Sequence, residues 1–295
     1  MPLNVFESQS VQARPQGIAT ALDGGFGAEI SGIDLRQPIS ESLREQILTA
    51  FAVYHLLIFR GQQLGKDRMG EIAAMFGEVE GNVFRNPDGS TLEAIHQISN
   101  LDAAGRPAEN PYLKSNYFWH SDKAYLPVPA LLTMLHAVEL PPSGGDTQFA
   151  DMIQAYASLS DEAKQQIAGL RVMHSLEYMR LSTGDRPPTD EERLAAPPVV
   201  HPLVRTHPET GEKSLFLGMY CSHVVGIDRA AGRALLDRLL AHATQQSFVY
   251  TQRWLPGDLV IWDNRCLLHR AVANYDMAAN RRVLLRLVVK GSVAP

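Results

Sequence analysis

Cysteine is nearly absent from this chain of 295 residues: only Cys221 and Cys266 occur, too few for a disulfide framework. No cationic, apolar segment ending in small residues opens the sequence, so a reducing cytoplasm is the expected location. No apolar run approaches the roughly eighteen residues that a membrane-spanning helix requires, which argues against a membrane partner. Positive charge is scarce as well. Lys and Arg number 27 against 32 acidic residues, a net charge of −5, whereas a nucleic-acid partner would need a clustered basic surface. No internal repeat or low-complexity tract stands out. What is present is a 45% apolar content, enough for a sizeable core, and the expected partner is a small soluble molecule.

Hydrophobic spacing places strands over Ile30 to Leu35 and His55 to Phe59, with an amphipathic helix from Ser40 to Tyr54 between them. A second helix is expected over Lys66 to Met75, ending at Gly77. A third runs over Met152 to Gly169, with a capped break at Ser158-Leu-Ser-Asp-Glu162. Residues 80–118 carry little periodicity and many Asn, Pro and Gly, the composition of a loop that closes over an active site. After Gly169 the pattern becomes β at Pro202 to Arg205, Ser214 to Gly218, Asp258 to Trp262 and Arg281 to Lys290, interrupted by one helix from Arg229 to Ala243. Residues 182–200 read as a second mobile segment, because the strands on either side must share one core. The expectation is a single domain over 1–295, mixed but mainly β. Short strands with few helices suit a double-stranded β-helix (jelly-roll) barrel with flanking α-helices.

The stretch Asn116-Tyr-Phe-Trp-His120-Ser-Asp122, answered far downstream by Trp262-Asp-Asn-Arg-Cys-Leu-Leu-His269, carries the chemistry. Two histidines and one carboxylate hold a non-haem Fe(II) on one face and leave the opposite positions open. In a strand, residues i and i+2 point to the same side, so a strand end can offer His120 and Asp122 together. The same three residues would also suit zinc in a non-redox hydrolase or isomerase. A barrel retained only as an inactive binding module is a third reading. The pair His207-Pro-Glu209 competes as a metal motif, but it reads as a hairpin tip facing water. His55, His96, His174, His223 and His242 read as structural, and His136 and His201 stay open.

Alternation from 281 to 290 puts Arg282, Leu284, Arg286 and Val288 on one face and Val283, Leu285, Leu287 and Val289 on the other. If helices cover the apolar face, the arginines point inside, where desolvated guanidinium groups need anions. A dicarboxylate would supply them.

Together with Gly27-Ala-Glu-Ile-Ser-Gly-Ile-Asp-Leu35, Pro141-Pro-Ser-Gly-Gly-Asp-Thr147, Leu203-Val-Arg-Thr-His207 and Arg281-Arg-Val-Leu-Leu-Arg286, these segments give the chain a family likeness. It resembles the Fe(II)/2-oxoglutarate-dependent dioxygenases of the taurine dioxygenase and 2,4-dichlorophenoxyacetate dioxygenase family, nearer to the phenoxyacetate branch. The resemblance implies Fe(II) on His120, Asp122 and His269, with 2-oxoglutarate and O2 as cosubstrates. It also implies that Thr147 and Arg286 hold the distal carboxylate of 2-oxoglutarate and that Arg282 lies near the carboxylate that chelates the metal. The expected reaction is oxidative decarboxylation to succinate and CO2 coupled to hydroxylation of a substrate C–H bond. For the substrate, the resemblance implicates Asn82, Arg85 and Asn116. Taurine enzymes carry a histidine and a tyrosine where Asn82 and Arg85 stand here. A small carboxylate such as an aryloxyalkanoate, with ether cleavage, is therefore expected ahead of taurine or another alkylsulfonate. A homo-oligomer is implied by the same resemblance.

Overall fold

The computed structural model describes residues 17–81, 92–109 and 114–295; Asn82 and Arg85 lie outside them. The first part of the chain contains β1 (Ala19–Ala21), β2 (Ala28–Ile30), α1 (Glu41–Tyr54), β3 (Leu56–Phe59), α2 (Lys66–Ala74), β4 (His96–Ser99), β5 (Leu132–Glu139) and β6 (Thr147–Asp151). The middle holds α3 (Met152–Ala157), α4 (Asp161–Ile167), β7 (Arg171–His174), α5 (Leu176–Thr183), α6 (Asp190–Ala195), β8 (Val199–Pro202), β9 (Val204–Thr206), β10 (Lys213–Leu215), β11 (Cys221–Val224) and α7 (Arg229–Ala243). The last part supplies β12 (Val249–Gln252), β13 (Leu259–Asp263), β14 (Leu267–Ala271) and β15 (Val283–Val289).

A seven-stranded sheet in the order β1-β2-β3-β13-β5-β15-β4 forms one wall, and a three-stranded sheet β12-β6-β14 faces its inner side. Period-two alternation sorts the residues of the large sheet. Leu57, Phe59, Met134, Leu259, Ile261, Leu285, Leu287 and Val289 point outward onto Ile47, Phe51, Met69 and Ile72 of α1 and α2. Their neighbours Leu56, Ile58, Leu135, Val260, Trp262 and Leu284 point inward, against Phe149 of β6 and Leu267 of β14. The apolar face of β15 is thus covered by helices, which leaves its arginine face inside. Helix α1 is set by its ends: Ser40 Oγ accepts the Leu43 N–H, and His55 at φ 61° closes the helix with its N–H on Phe51 O. The chain then enters β3 directly.

Several local expectations need correction. The strand expected over Ile30 to Leu35 stops at Ile30, because Gly32 takes a positive φ of 76° and Asp34 turns the chain by accepting from both the backbone and the side chain of Arg36. The loop expected over 80–118 contains β4, which pairs antiparallel with β15 from Ser99↔Val283 to His96↔Arg286. Nor is 182–200 an open segment. It folds into α6, started by a capping box between Thr189 and Glu192, and the buried Glu192 carboxylate binds Arg186 and Arg180. Helices α5 and α6 therefore interrupt the β pattern in addition to α7. The break inside 152–169 lies where the cap signal put it, with Ser160 Oγ accepting the Ala163 N–H. Among the described residues, no helix is long and apolar enough to cross a membrane.

Leu287 has no solvent exposure and sits centrally in the outer core, while Leu194 on α6 is 84% exposed. Leu287→Ala should lower the unfolding free energy by roughly 2–5 kcal/mol in urea denaturation, and Leu194→Ala by less than about 0.5 kcal/mol. Equal midpoints would show that the outer face of β15 is not a packed core.

Candidate active site

His120 and His269 meet through their backbones. The His120 N–H donates to His269 O at 3.0 Å, and the His269 N–H donates back to His120 O at 2.7 Å. This isolated antiparallel bridge ties the segment leaving the 114–117 turn to β14 and sets the two imidazole rings 4.1 Å apart. His120 and Asp122 do not lie on a regular strand, contrary to expectation: His120 is a bridge residue, and Asp122 begins a turn that passes through Lys123 at φ 57°. The His-x-Asp spacing nevertheless delivers both side chains to one point. His120 Nε2 lies 3.7 Å from Asp122 Oδ1 and His269 Nε2 lies 3.7 Å from Asp122 Oδ2. All three donor atoms fall within 4.8 Å of one another, and all three residues are buried.

Protonation suits this donor set to a cation. Burial pushes both imidazoles toward the neutral form, His269 well below its ordinary pKa, so each has a nitrogen lone pair to offer. His120 Nδ1 lies 2.7 Å from Phe118 O, which places its proton there and leaves Nε2 free to bind. Burial would raise the Asp122 pKa, but Arg286, His269 and His120 outweigh it and hold the carboxyl below the usual range. Two neutral imidazoles and one carboxylate converging in a dry pocket match the two-histidine, one-carboxylate set of a divalent iron site.

The two arginines of the downstream motif divide between two places. Arg286 Nη2 sits 2.7 Å from Asp122 Oδ1, at the cluster of His120, Asp122 and His269. Arg282, just before β15, is buried against β6: its Nε donates to Gly145 O at 2.8 Å and its Nη2 lies 3.5 Å from Thr147 Oγ1. Gly145 makes that approach possible, since it takes φ 69° and a Cβ there would come within 2.9 Å of the Arg282 side chain. The pairing in the structure is thus Thr147 with Arg282, not Thr147 with Arg286. Among the described residues, no carboxylate lies within ion-pair distance of Arg282. Trp254 Nε1 completes the polar surface by donating to Thr147 Oγ1 at 3.1 Å.

Asn116 is half-buried on the 3₁₀ turn Lys114–Tyr117 that leads into His120. His96, read from the sequence as structural, stands next to Arg286 and has its Nδ1 on Glu93 O at 3.1 Å. It is the register partner of Arg286, and burial together with Arg286 lowers its pKa to about 4. The polar His96-Gln-Ile-Ser of β4 carried no strand signal that could have placed it there. His136 and His201, left open by the sequence, are each bonded through Nε2 to a backbone carbonyl, Gln62 O at 2.8 Å and Leu126 O at 3.0 Å.

A second cluster of donor types, His55, His207, Asp263 and Cys266, is also buried. Its chemistry differs, because Arg265 Nη2 and Nε reach the two oxygens of Asp263 at 2.6 and 2.9 Å. The charge that a metal would need is already neutralised by a bidentate guanidinium. His207 is not at a water-facing tip either: it is buried beside Asp263, with Nε2 3.1 Å from Oδ2. This cluster braces the turn between β13 and β14.

Comparison with known proteins places this geometry in context. The profile of the taurine catabolism dioxygenase TauD, TfdA family matches residues 19–288. An alpha-ketoglutarate-dependent 2,4-dichlorophenoxyacetate dioxygenase of Cupriavidus pinatubonensis is 40% identical over 274 residues, covering 90% of this chain and 95% of that protein. The (S)-phenoxypropionate/alpha-ketoglutarate-dioxygenase of Sphingobium herbicidovorans is 34% identical, covering 88% and 90%. Among solved structures, AAD-2 in complex with Mn(II) and N-oxalylglycine superposes with a TM-score of 0.83 at 36% identity, over 94% of this chain and 97% of that one.

The Asp263 brace can be tested directly. Asp263→Asn should cost about 3 kcal/mol of unfolding free energy, because it leaves the half-buried Arg265 with Glu209 as its one carboxylate among the described residues. A loss below about 1 kcal/mol in urea denaturation would show that Glu209 alone balances the guanidinium.

Proposed function

Because the chain belongs to the taurine catabolism dioxygenase TauD, TfdA family, we propose that it is an Fe(II)- and 2-oxoglutarate-dependent dioxygenase of small anionic carboxylates, with aryloxyalkanoates as the leading substrate class. We read the seven-stranded sheet and the facing β12-β6-β14 sheet as a double-stranded β-helix with the site between them. One observation carries the cosubstrate reading. Arg282 is a buried cation with no carboxylate in ion-pair reach among the described residues, beside a threonine hydroxyl and on the same inner side as the histidine and carboxylate cluster. An anion would complete this desolvated guanidinium and offset the cost of burying it.

His120, Asp122 and His269 would hold Fe(II), which with 2-oxoglutarate and O2 supplies the oxidising power for decarboxylation to succinate and CO2 and for hydroxylation of a substrate C–H bond. Arg282 and Thr147 would bind the distal carboxylate of 2-oxoglutarate by charge-assisted hydrogen bonds. Arg286, beside Asp122, would face the carboxylate at the metal end. These two roles are the reverse of those taken from the sequence resemblance, and the distances to Thr147 and Asp122 support the exchange. The inner walls, Trp262, Phe149 and Leu284, exclude water from the reacting centre.

For the substrate, Asn116 precedes the metal segment by one short turn. Asn82 and Arg85 enter from the sequence resemblance, with Arg85 as the partner of the substrate carboxylate. Hydroxylation of a carbon that bears an ether oxygen gives a hemiacetal, which collapses and cleaves the ether. The 2,4-dichlorophenoxyacetate and phenoxypropionate activities of the relatives support this substrate class.

The deciding experiment is succinate release stimulated by a panel of carboxylates and sulfonates under Fe(II), 2-oxoglutarate and air. Aryloxyalkanoates should stimulate it and their neutral amides should not. Stimulation by alkylsulfonates alone would move the substrate class to sulfonates, and no substrate-dependent succinate at all would overturn the reaction.

Cosubstrate binding gives a second test. Arg282→Ala should raise the half-saturating concentration of 2-oxoglutarate roughly a hundredfold, and Thr147→Val about tenfold. The preference for 2-oxoglutarate over 2-oxopentanoate, which lacks the distal carboxylate, should collapse in Arg282→Ala and survive in Arg286→Ala. The opposite pattern would restore Arg286 as the distal anchor.

A further inference from the structure

Asp122 brings the one negative charge to the proposed ligand set, and two residues outside that set control how its carboxylate is turned. Thr133, on β5, donates from Oγ1 to Asp122 Oδ2 at 2.5 Å. A hydroxyl has a single proton, so toward any other neighbour Thr133 must accept, and Asn264 Nδ2 donates to it at 2.9 Å. The oxygen of the same amide accepts the Asp122 N–H at 3.0 Å and Trp262 Nε1 at 3.2 Å. Both of those groups are donors only, so the amide has one orientation: Oδ1 toward Asp122 and Trp262, Nδ2 toward Thr133. Asn264 is itself clamped, its N–H on Leu131 O and its carbonyl accepting from Arg205 Nη2. Thr133 and Asn264 have no solvent exposure, so water cannot replace a lost partner.

The arrangement opposes a specific competitor. Arg286 Nη2 already touches Asp122 Oδ1 at 2.7 Å, and a guanidinium prefers to take both oxygens of a carboxylate. A carboxylate captured in that way would turn from the two histidines. We propose that Thr133 and Asn264 are positioning residues that fix the rotation of the Asp122 carboxylate against Arg286, and so set the affinity of the site for its divalent ion. The inference rests on the reading of His120, Asp122 and His269 as the ligands.

The test is calorimetric titration of the whole protein with Mn(II), without turnover, alongside urea denaturation. Thr133→Val keeps the shape of the side chain and removes the hydroxyl, and it should weaken Mn(II) binding about 10–100-fold. Thr133→Ser, which restores the hydroxyl, should bind within about threefold of the wild type. If Thr133→Val does not fold, Thr133→Ala carries the same expectation. Wild-type affinity in a folded Thr133→Val or Thr133→Ala protein would overturn the proposal. So would a Thr133→Ser protein as weak as Thr133→Val, since the packing of the γ-methyl would then be the cause. His269→Ala, which should abolish binding, separates the two levels of inference. If it binds Mn(II) as the wild type does, or the wild type does not bind, the ligand set itself falls and this proposal with it.

Discussion

Two backbone hydrogen bonds between His120 and His269 are the constraint on which the site depends. Such bonds contribute only about 1 kcal/mol each, so they do not hold the protein together. Their effect is to fix register. They lay the segment that follows the 3₁₀ turn Lys114–Tyr117 against β14, and from that contact the positions of both imidazoles follow, with Asp122 two residues further on. A slip of one residue at this bridge would turn one histidine out of the pocket.

The stability that lets so small a contact matter comes from elsewhere. Outward residues of β3, β5, β13 and β15 pack on α1 and α2, while inward residues pack against β6 and β14, so the central strands are buried on both faces. That double burial makes room for charges that would otherwise be costly. Asp122 is offset by Arg286, and Asp263 by Arg265. Arg282 has no carboxylate within ion-pair distance among the described residues; nor has the buried Arg205, which instead lies over the Phe216 ring and donates to Asn264 O. An unbalanced buried cation is expensive; Arg205 is offset by a ring and a carbonyl, whereas beside Thr147 an anionic ligand at Arg282 would contribute to stability as well as to chemistry.

The two buried groups of metal-binding residue types show why donor identity alone does not define a site. His55, His207, Asp263 and Cys266 offer four suitable atoms, yet Arg265 occupies the carboxylate and the cluster braces a turn. At His120, Asp122 and His269, Arg286 touches one oxygen, and the other is held by Thr133. Both carboxylates face a guanidinium; the difference is that Arg265 takes both oxygens of Asp263 and Arg286 takes one of Asp122. The brace and the site are joined in sequence, because Asn264, which orients Asp122, stands between Asp263 and Arg265.

The sequence by itself determined the donors and the elements with strong local signals. The His-x-Asp pair, the start of α1 at Ser40, the break before Ser160 and the alternation of β15 are all written in short spacings, because they depend on atoms a few bonds apart. Tertiary structure decided which of these groups meet. β5 could not be read because its Leu-Thr-Met-Leu-His-Ala-Val run is buried almost throughout and shows no alternation, yet it supplies Thr133. Alternation along 281–290 put Arg282 and Arg286 on one face, and it could not say which of them adjoins Thr147. Arg282 precedes the strand and the register shifts between Val283 and Leu284, so Arg282 reaches β6 while Arg286 reaches Asp122. A residue's chemistry is local and survives in the one-dimensional text, whereas its partner is fixed by sheet register and packing between segments that the sequence keeps far apart.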